Sequence, residues 1–302
     1  MKNTRNRLYT NDTTLLWLIA LPGLLYFVIF KYIPLFGNVI AFQDYNIFQG
    51  IMHSHFVGWK HFAFMFRYEE FVNILKNTVL LGVYQIVAGF PAPLIFALLL
   101  NEIRFSSYKR VVQTLLYLPH FLSWVIVGGI FINLLTIDGV FNRLLHILDL
   151  PTVDFMLQKS FFRTIVVGSG IWKEVGWGMI IYLAAMSAVN PQLYESAVID
   201  GANRWRRMWS ITIPSISPAI ITLFLLRIGG ILDANVEQLL VLLNPLVRPV
   251  GEVIDTYVYR SGLLGGQFSF TTAVGLFKSV IGFFMIVSLN QLSKRMTGES
   301  IY

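Results

Sequence analysis

The sequence predicts an all-α integral membrane protein of about six transmembrane helices, on three observations: scarce charge, long uncharged runs and an uneven spread of basic residues. Only 13% of the 302 residues are charged, 56% are hydrophobic, and the mean hydropathy is +0.65. A soluble domain has a similar apolar fraction but about twice the charge. Three stretches carry no charge: Thr13–Phe30 with 18 residues, Thr78–Leu100 with 23 and Val111–Ile137 with 27. Each reaches the length, roughly 18–20 residues, that crosses a hydrocarbon core of about 30 Å. They are too long, and lack the alternation, for strands of an outer-membrane barrel.

The first span follows Lys2, Arg5 and Arg7 as a signal peptide would, but no small-residue cleavage site follows and the hydrophobicity continues through Tyr32–Phe36. It reads as an uncleaved helix. "SHFVGWKHFAFMF" (54–66) mixes aromatic and polar residues and reads as an interfacial segment leading into the second span. The third span is the longest uncharged run. The last three contain charge: roughly 162–187 with Lys173 and Glu174, 216–234 with Arg227, and 271–292 with Lys278. The fourth also carries Gly168, Gly170, Gly176 and Gly178, which let neighbouring helices approach closely. Residues 15–293 therefore read as one transmembrane domain between tails 1–14 and 294–302.

An even number of helices puts both termini on one side. The segments on that side (1–14, 101–110, 187–215, 293–302) hold 11 Lys and Arg in 63 residues, and the opposite connections (38–71, 136–161, 235–270) hold 6 in 96. The positive-inside rule assigns the first set to the cytoplasm. The net charge of +7 expresses this bias rather than affinity for nucleic acid. Zero cysteines exclude disulfides and thiolate metal sites, and His53 and His55 have no carboxylates at metal-site spacing, so no metal site is expected.

One polar stretch interrupts the oil. Just before "YESAVIDGANRWRRMWSITIPSISPAI" (194–220), Pro191 can open a short helix because its missing N–H costs nothing at the first turn. Glu195, Val198 and Ala202 then share a face. Gly201 permits a sharp bend. Trp205, Met208 and Trp209 supply a second apolar face, Arg204, Arg206 and Arg207 stay in water, and Pro214 and Pro218 mark re-entry into the bilayer. The result is a knob, about residues 190–214, that a partner on the inner side could grip. A plain amphipathic helix lying on the membrane is the alternative.

The spacing of this stretch, with Gly201 six residues after Glu195 and Pro214 nineteen after it, resembles the permease subunits of binding-protein-dependent ABC importers, whose signature is a Glu-Ala-Ala loop closed by a hydrophobic-Pro pair. Ser196 stands for the first Ala, and Ile213 for the usual Leu. "FVGWKHF" (56–62), "LPGLLYFVIFKYIPL" (21–35), "YLPHFLSW" (117–124) and "TYVYRSGLLGGQFSFTTAVGLFKS" (256–279) resemble the carbohydrate-uptake subgroup, in particular permeases for polysaccharide-derived oligomers. The resemblance implies a type I ABC importer permease fold. Glu195, Ser196, Ala197, Asp200, Gly201, Ala202 and Pro214 would then form the coupling surface for an ATPase subunit. It also implies a second permease subunit, two ATPase subunits that hold ATP and Mg, an extracytoplasmic solute-binding protein, and alternating access in the bacterial inner membrane. No Gly-x-x-x-x-Gly-Lys-Ser/Thr phosphate loop occurs in the sequence, so no ATPase chemistry and no cofactor is expected in this chain.

At 1.5 Å per residue Lys173 and Arg227 lie about 16 Å into their spans, and Lys278 about 10 Å. Charges at that depth face a bundle interior or a cavity, paired or hydrated. Two readings stay open: an interhelical ion pair of Glu174 with Arg227 or Lys173, or a pathway in which Lys173, Arg227 and Lys278 attract an anionic solute such as a uronate oligosaccharide. Trp172, Trp177 and Tyr182 are candidate sugar-stacking residues. The rival classes are an ABC permease for a non-sugar solute, a secondary transporter, an intramembrane hydrolase built on Ser169 with His120 or His146, and a channel.

Overall fold

With no water to bond backbone groups inside a bilayer, a spanning chain must satisfy them itself, and helices do so segment by segment. The computed structural model describes residues 4–297. Their contacts gather into two compact units: residues up to 67 with 261–276, and residues 68–260 with those from 277 onward.

The first unit opens with α1 (Thr4–Phe27), which runs on through a π-helical turn (Val28–Tyr32) and a 3-10 stretch (Phe36–Phe42). In its apolar window no residue is buried against the rest of the chain. A two-stranded antiparallel ribbon follows, β1 (Gln43–Asp44) on β2 (His55–Phe56), with Gln43 opposite Phe56. The Lys60 ammonium donates to Asp44 Oδ2 at 2.7 Å and holds that carboxyl below its usual range. The expected interfacial segment 54–66 is thus strand β2, a turn through Gly58 and a short helix, Lys60–Met65. His53 and His55 are exposed, as solvated loop residues are.

The second unit begins with α2 (Glu69–Tyr84), a π-helical turn (Gln85–Gly89) and α3 (Pro91–Asn101), which together make the second span. Next come α4 (Ser106–Tyr117) and α5 (Trp124–Leu135). Then follow α6 (Lys159–Ser187), α7 (Pro191–Ile199), α8 (Ile213–Gly229), α9 (Val236–Leu242) and finally α10 (Phe268–Thr297), which begins in the first unit and ends in the second. Among the described residues, five helical stretches are long and apolar enough to cross a membrane: Thr13–Phe42, Glu69–Asn101, Trp124–Ile147, Arg204–Gly229 and Phe268–Arg295. The remaining expected span, the fourth, is α6, which has 29 residues but falls short on apolarity.

Two expectations change. The uncharged run Val111–Ile137 is not one helix. It breaks into a 3-10 turn at Leu118–Phe121, and Leu122 and Ser123 are extended before α5 starts. Pro119 has no N–H to donate to the carbonyl four residues back, and Ser123 caps the new helix by accepting from Ile126 N–H at 3.4 Å. The fifth span ends at Gly229 rather than near 234, and residues 230–235 form a turn in which Asp233 N–H donates to the Gly230 carbonyl.

Helix α6 is the axis of this unit, and α2, α3, α4, α5, α8 and α9 all pack against it. One core cluster joins Phe162, Ile165 and Val166 of α6 to Leu81, Leu239 and Leu242. A second joins Met179, Tyr182 and Met186 to Ala97, Leu98, Leu100, Met208 and Ile216. The α6 glycines divide by surroundings. A Cβ at Gly176 would overlap the Leu116 carbonyl, and at Gly178 it would crowd Pro93, whereas at Gly168 it would meet nothing.

Gly176→Ala should therefore cost roughly 1–3 kcal/mol by overpacking, because the obstacle is backbone. Gly168→Ala should be neutral or gain up to about 1 kcal/mol of helix propensity. Thermal midpoints of the two detergent-purified variants test the contrast, and equal midpoints would refute it.

Candidate functional site

The polar loop folds as a capped lever. Asn190 accepts from Gln192 N–H at 3.0 Å and caps α7, with Pro191 in its first turn. At the other end Gly201 stands at φ +74°, with Gly201 N–H donating to the Val198 carbonyl and Ala202 N–H to that of Ala197. This is a Schellman stop, and the left-handed residue is glycine because a Cβ is penalised there. Asn203 then caps Arg204–Arg207 by accepting from Arg206 N–H at 2.8 Å. The chain passes through a π-helical turn (Met208–Thr212) into α8, with Pro214 in its first turn.

Glu195, Ser196, Asp200 and Gly201 are exposed, and Ala197 and Ala202 half-buried. Ile199 is 86% and Trp205 64% exposed. The second apolar face does not hold together as expected: Trp205 and Trp209 face outward, while Met208 is buried in the core cluster with Met179 and Tyr182. Tyr194 Oη lies 3.0 Å from Thr212 Oγ1 and ties α7 to the root of α8. The knob is thus anchored in the bundle through Met208 and Thr212.

The second site lies inside the unit. Lys173 is buried, and its ammonium donates to the carbonyls of His120 at 2.6 Å, Leu122 at 2.8 Å and Pro119 at 3.5 Å. These are carbonyls around the break between α4 and α5. Its charge also lies 5.6 Å from the centre of the Trp124 ring. The cation therefore caps a helix break. Glu174 Oε1 is 3.8 Å away at the edge of this group, and Glu174 Oε2 takes a hydrogen bond from His120 Nδ1 at 2.8 Å. His120 in turn stacks on Trp177, 4.6 Å between ring centres and 3° from parallel.

Beside this group is a cavity of about 490 Å³ lined from the π-helical turn after α2, from α3, α5, α6 and α8, from the turn at 230–235 and from α9. Of the six residues predicted to line a pathway, Arg227, Trp177 and Tyr182 reach it. Lys173 is turned into the helix break. Lys278 is held by Asp233 at 2.8 Å and Asp255 at 2.6 Å, and Trp172 packs edge-on to Phe131. Of the two ion pairs suggested for Glu174, the one with Lys173 is present at 3.8 Å and the one with Arg227 is not; Arg227 Nη2 donates to Gln85 Oε1 at 2.9 Å. Ser169 is fully buried, donates to the Ile165 carbonyl and accepts from Gln238 Nε2, with neither His120 nor His146 among its partners.

Sequence reasoning missed Gln85, Asp233 and Gln238, which also line the cavity. Gln85 had a signal: it is a lone amide in an otherwise apolar run, and it begins a π-helical turn, a feature frequent at functional sites. Asp233 and Gln238 had none, since they fall at the end of a span and in a loop.

Residues 78–298 match the family described as binding-protein-dependent transport system inner membrane component. The chain is 48% identical over 288 residues to the polygalacturonan/rhamnogalacturonan transport system permease protein YteP of Bacillus subtilis (strain 168), covering 95% of this chain and 90% of that one. It is 46% identical over 288 residues to protein LplB of the same organism, covering 95% and 91%. Among solved structures, it superposes with a TM-score of 0.89 and 38% identity on a chain of a bacterial alginate ABC transporter. That structure is a complex with an alginate pentasaccharide-bound periplasmic protein, and the match covers 96% of this chain and 98% of that one.

Lys173→Met should leave the carbonyls at the break unsatisfied and cost about 3 kcal/mol or more. Glu174→Gln leaves the cap in place and should change the thermal midpoint little. A large loss in Glu174→Gln and none in Lys173→Met would show that the Glu174–His120 contact, not the cap, holds the break.

Proposed function

The chain belongs to the binding-protein-dependent transport system inner membrane components, and from that premise we propose that it is the permease subunit of an ATP-driven importer of acidic oligosaccharides. The observation that carries the reading is mechanical. The exposed knob at Glu195–Ala202 is continuous, through buried Met208 and Thr212, with α8, and α8 carries Arg227 to the wall of the cavity. From Ile213 to Arg227 is about 21 Å of helix. A push on the knob is thus delivered along one continuous helix to the place where a solute would sit.

In this reading the knob seats in a groove of a separate ATPase subunit, which holds ATP and Mg. A second permease completes the pathway, and a solute-binding protein delivers sugar from outside. Both termini and the knob lie on the cytoplasmic side of the inner membrane, as the basic-residue bias indicates. Closure of the ATPase pair on ATP moves the knobs together and opens the cavity outward. The chain itself performs no covalent chemistry.

The substrate class follows from relatives and cavity together. Polygalacturonan and alginate are polymers of uronic acids, which combine carboxylates with pyranose rings. The cavity offers Trp177 for stacking and Arg227 for a carboxylate, its guanidinium oriented by an uncharged amide rather than neutralised by an acid. Arginine is suited to a carboxylate by its planar fork of donors.

Two measurements on the complete transporter in liposomes test this. Replacing Glu195 by Ala together with Gly201 by Val should reduce ATP-driven uptake by roughly tenfold or more, the size of a typical coupling energy. Intact uptake would defeat the lever. Arg227→Gln should raise about fivefold the trigalacturonate concentration that half-maximally stimulates ATPase. An unchanged value, with normal assembly, would remove Arg227 from substrate recognition.

A further inference from the structure

A second cavity, of about 750 Å³, lies between α2 and α6. Lys159, Arg163 and Thr164 of α6 line it with Tyr84 of α2, and it shares Val167 and Ile171 with the cavity described above. Positions 159, 163, 167 and 171 recur every four residues and so form one stripe of α6, about 18 Å long. The two cavities follow one another down this helix. The shared wall places the Lys159 end of the groove toward the outer mouth if the knob faces the cytoplasm.

The electrostatics of the two differ. The lining of the first cavity includes two carboxylates beside Arg227, namely Glu174, bonded to His120, and Asp233, bonded to Lys278. The second has two cations and, among the described residues, no carboxylate in its lining. Arg163 is held in place by neutral acceptors, Nε donating to the Val250 carbonyl at 3.1 Å and Nη2 to Asn77 Oδ1 at 2.8 Å. Its position is fixed while its charge is left uncompensated. Lys159 is exposed and has no hydrogen-bond or ion-pair partner among the described residues. That sets it apart from Lys173, which caps carbonyls, and Lys278, which is bound by two aspartates. The cations that sequence reasoning selected are mostly occupied, and these two are available.

We propose that Lys159 and Arg163 form a carboxylate-recognition subsite that takes a uronate residue of the incoming oligosaccharide before it reaches the cavity of Arg227 and Trp177. This rests on the importer reading above. A fixed guanidinium sets the carboxylate's place, the mobile ammonium follows it, and Thr164 and Tyr84 supply hydroxyls for the sugar's own. An anionic lipid headgroup would satisfy the same charges. The sugar is favoured because the groove continues into the interior cavity and carries hydroxyls along its length.

The test uses the complete transporter in nanodiscs, made with and without anionic lipid, and reads ATPase stimulation against trigalacturonate-loaded binding protein. Lys159 is exposed, so its variants should fold, whereas Arg163 is built into the packing and is left intact. Lys159→Glu should raise the half-maximal concentration about tenfold, Lys159→Gln about threefold, and Lys159→Arg should leave it unchanged, in both lipid mixtures. A flat response across the three variants overturns the subsite. An effect present only with anionic lipid assigns the groove to a lipid headgroup and also overturns it. A wild-type transporter indifferent to trigalacturonate defeats the substrate reading itself, and the subsite with it. A wild type that responds while the Lys159 series stays flat defeats the subsite alone.

Discussion

The buried ammonium of Lys173 fixes the centre of this molecule. A helix that breaks at membrane depth exposes carbonyls that neither water nor lipid can satisfy, at a cost of several kcal/mol each in hydrocarbon. Lys173 meets those of Pro119, His120 and Leu122, so the break between α4 and α5 is tolerated where it stands. The break then sets His120, which binds Glu174 and stacks on Trp177. The Glu174 and Trp177 part of the interior cavity's wall is therefore backed by a backbone defect and by the cation that offsets its cost.

That arrangement redistributes the charges inside the second unit. A cation deep in a bilayer invites a transport role, yet two of the three cations singled out from the sequence, Lys173 and Lys278, are taken up by carbonyls and carboxylates. Lys173 serves carbonyls, Lys278 bridges Asp233 and Asp255, and only Arg227 turns to the cavity. Its partner Gln85 comes from the π-helical turn of the second span, where the extra residue per turn re-aims a side chain that a regular helix would direct elsewhere. Selectivity for an acidic solute therefore cannot rest on the number of cations in the spans. It rests on which of them have no acid beside them.

The lever and the cavity are joined by stiffness. The Schellman stop at Gly201 and the asparagine caps at 190 and 203 make the knob a defined shape rather than a flexible loop. Met208, buried with Met179 and Tyr182, roots it beside the helix that lines the cavity. Packed interiors transmit displacement because they have few voids to absorb it. Knob and cavity wall are thus linked through α8, whose root is tied to the knob and whose far end carries Arg227 to the cavity.

Much of this was legible from the chain alone. The scarcity of charge and the length of the uncharged runs identify membrane helices, since bilayer thickness is a one-dimensional constraint that a sequence can meet or fail visibly. The knob was legible for a similar reason: Pro191, Gly201 and Pro214 act through their own backbone geometry, and their spacing is local. What the sequence hid is pairwise. The run Val111–Ile137 looks like one helix because the residue that stabilises its break, Lys173, lies about fifty positions away. The stripe of Lys159 and Arg163 was overlooked for the same reason, because whether a cation is neutralised depends on what the fold brings beside it. Local composition and turn chemistry determined the class, the spans and the knob; only tertiary packing decided which charges remain for a solute, because compensation between charges is a property of distance in space and not along the chain.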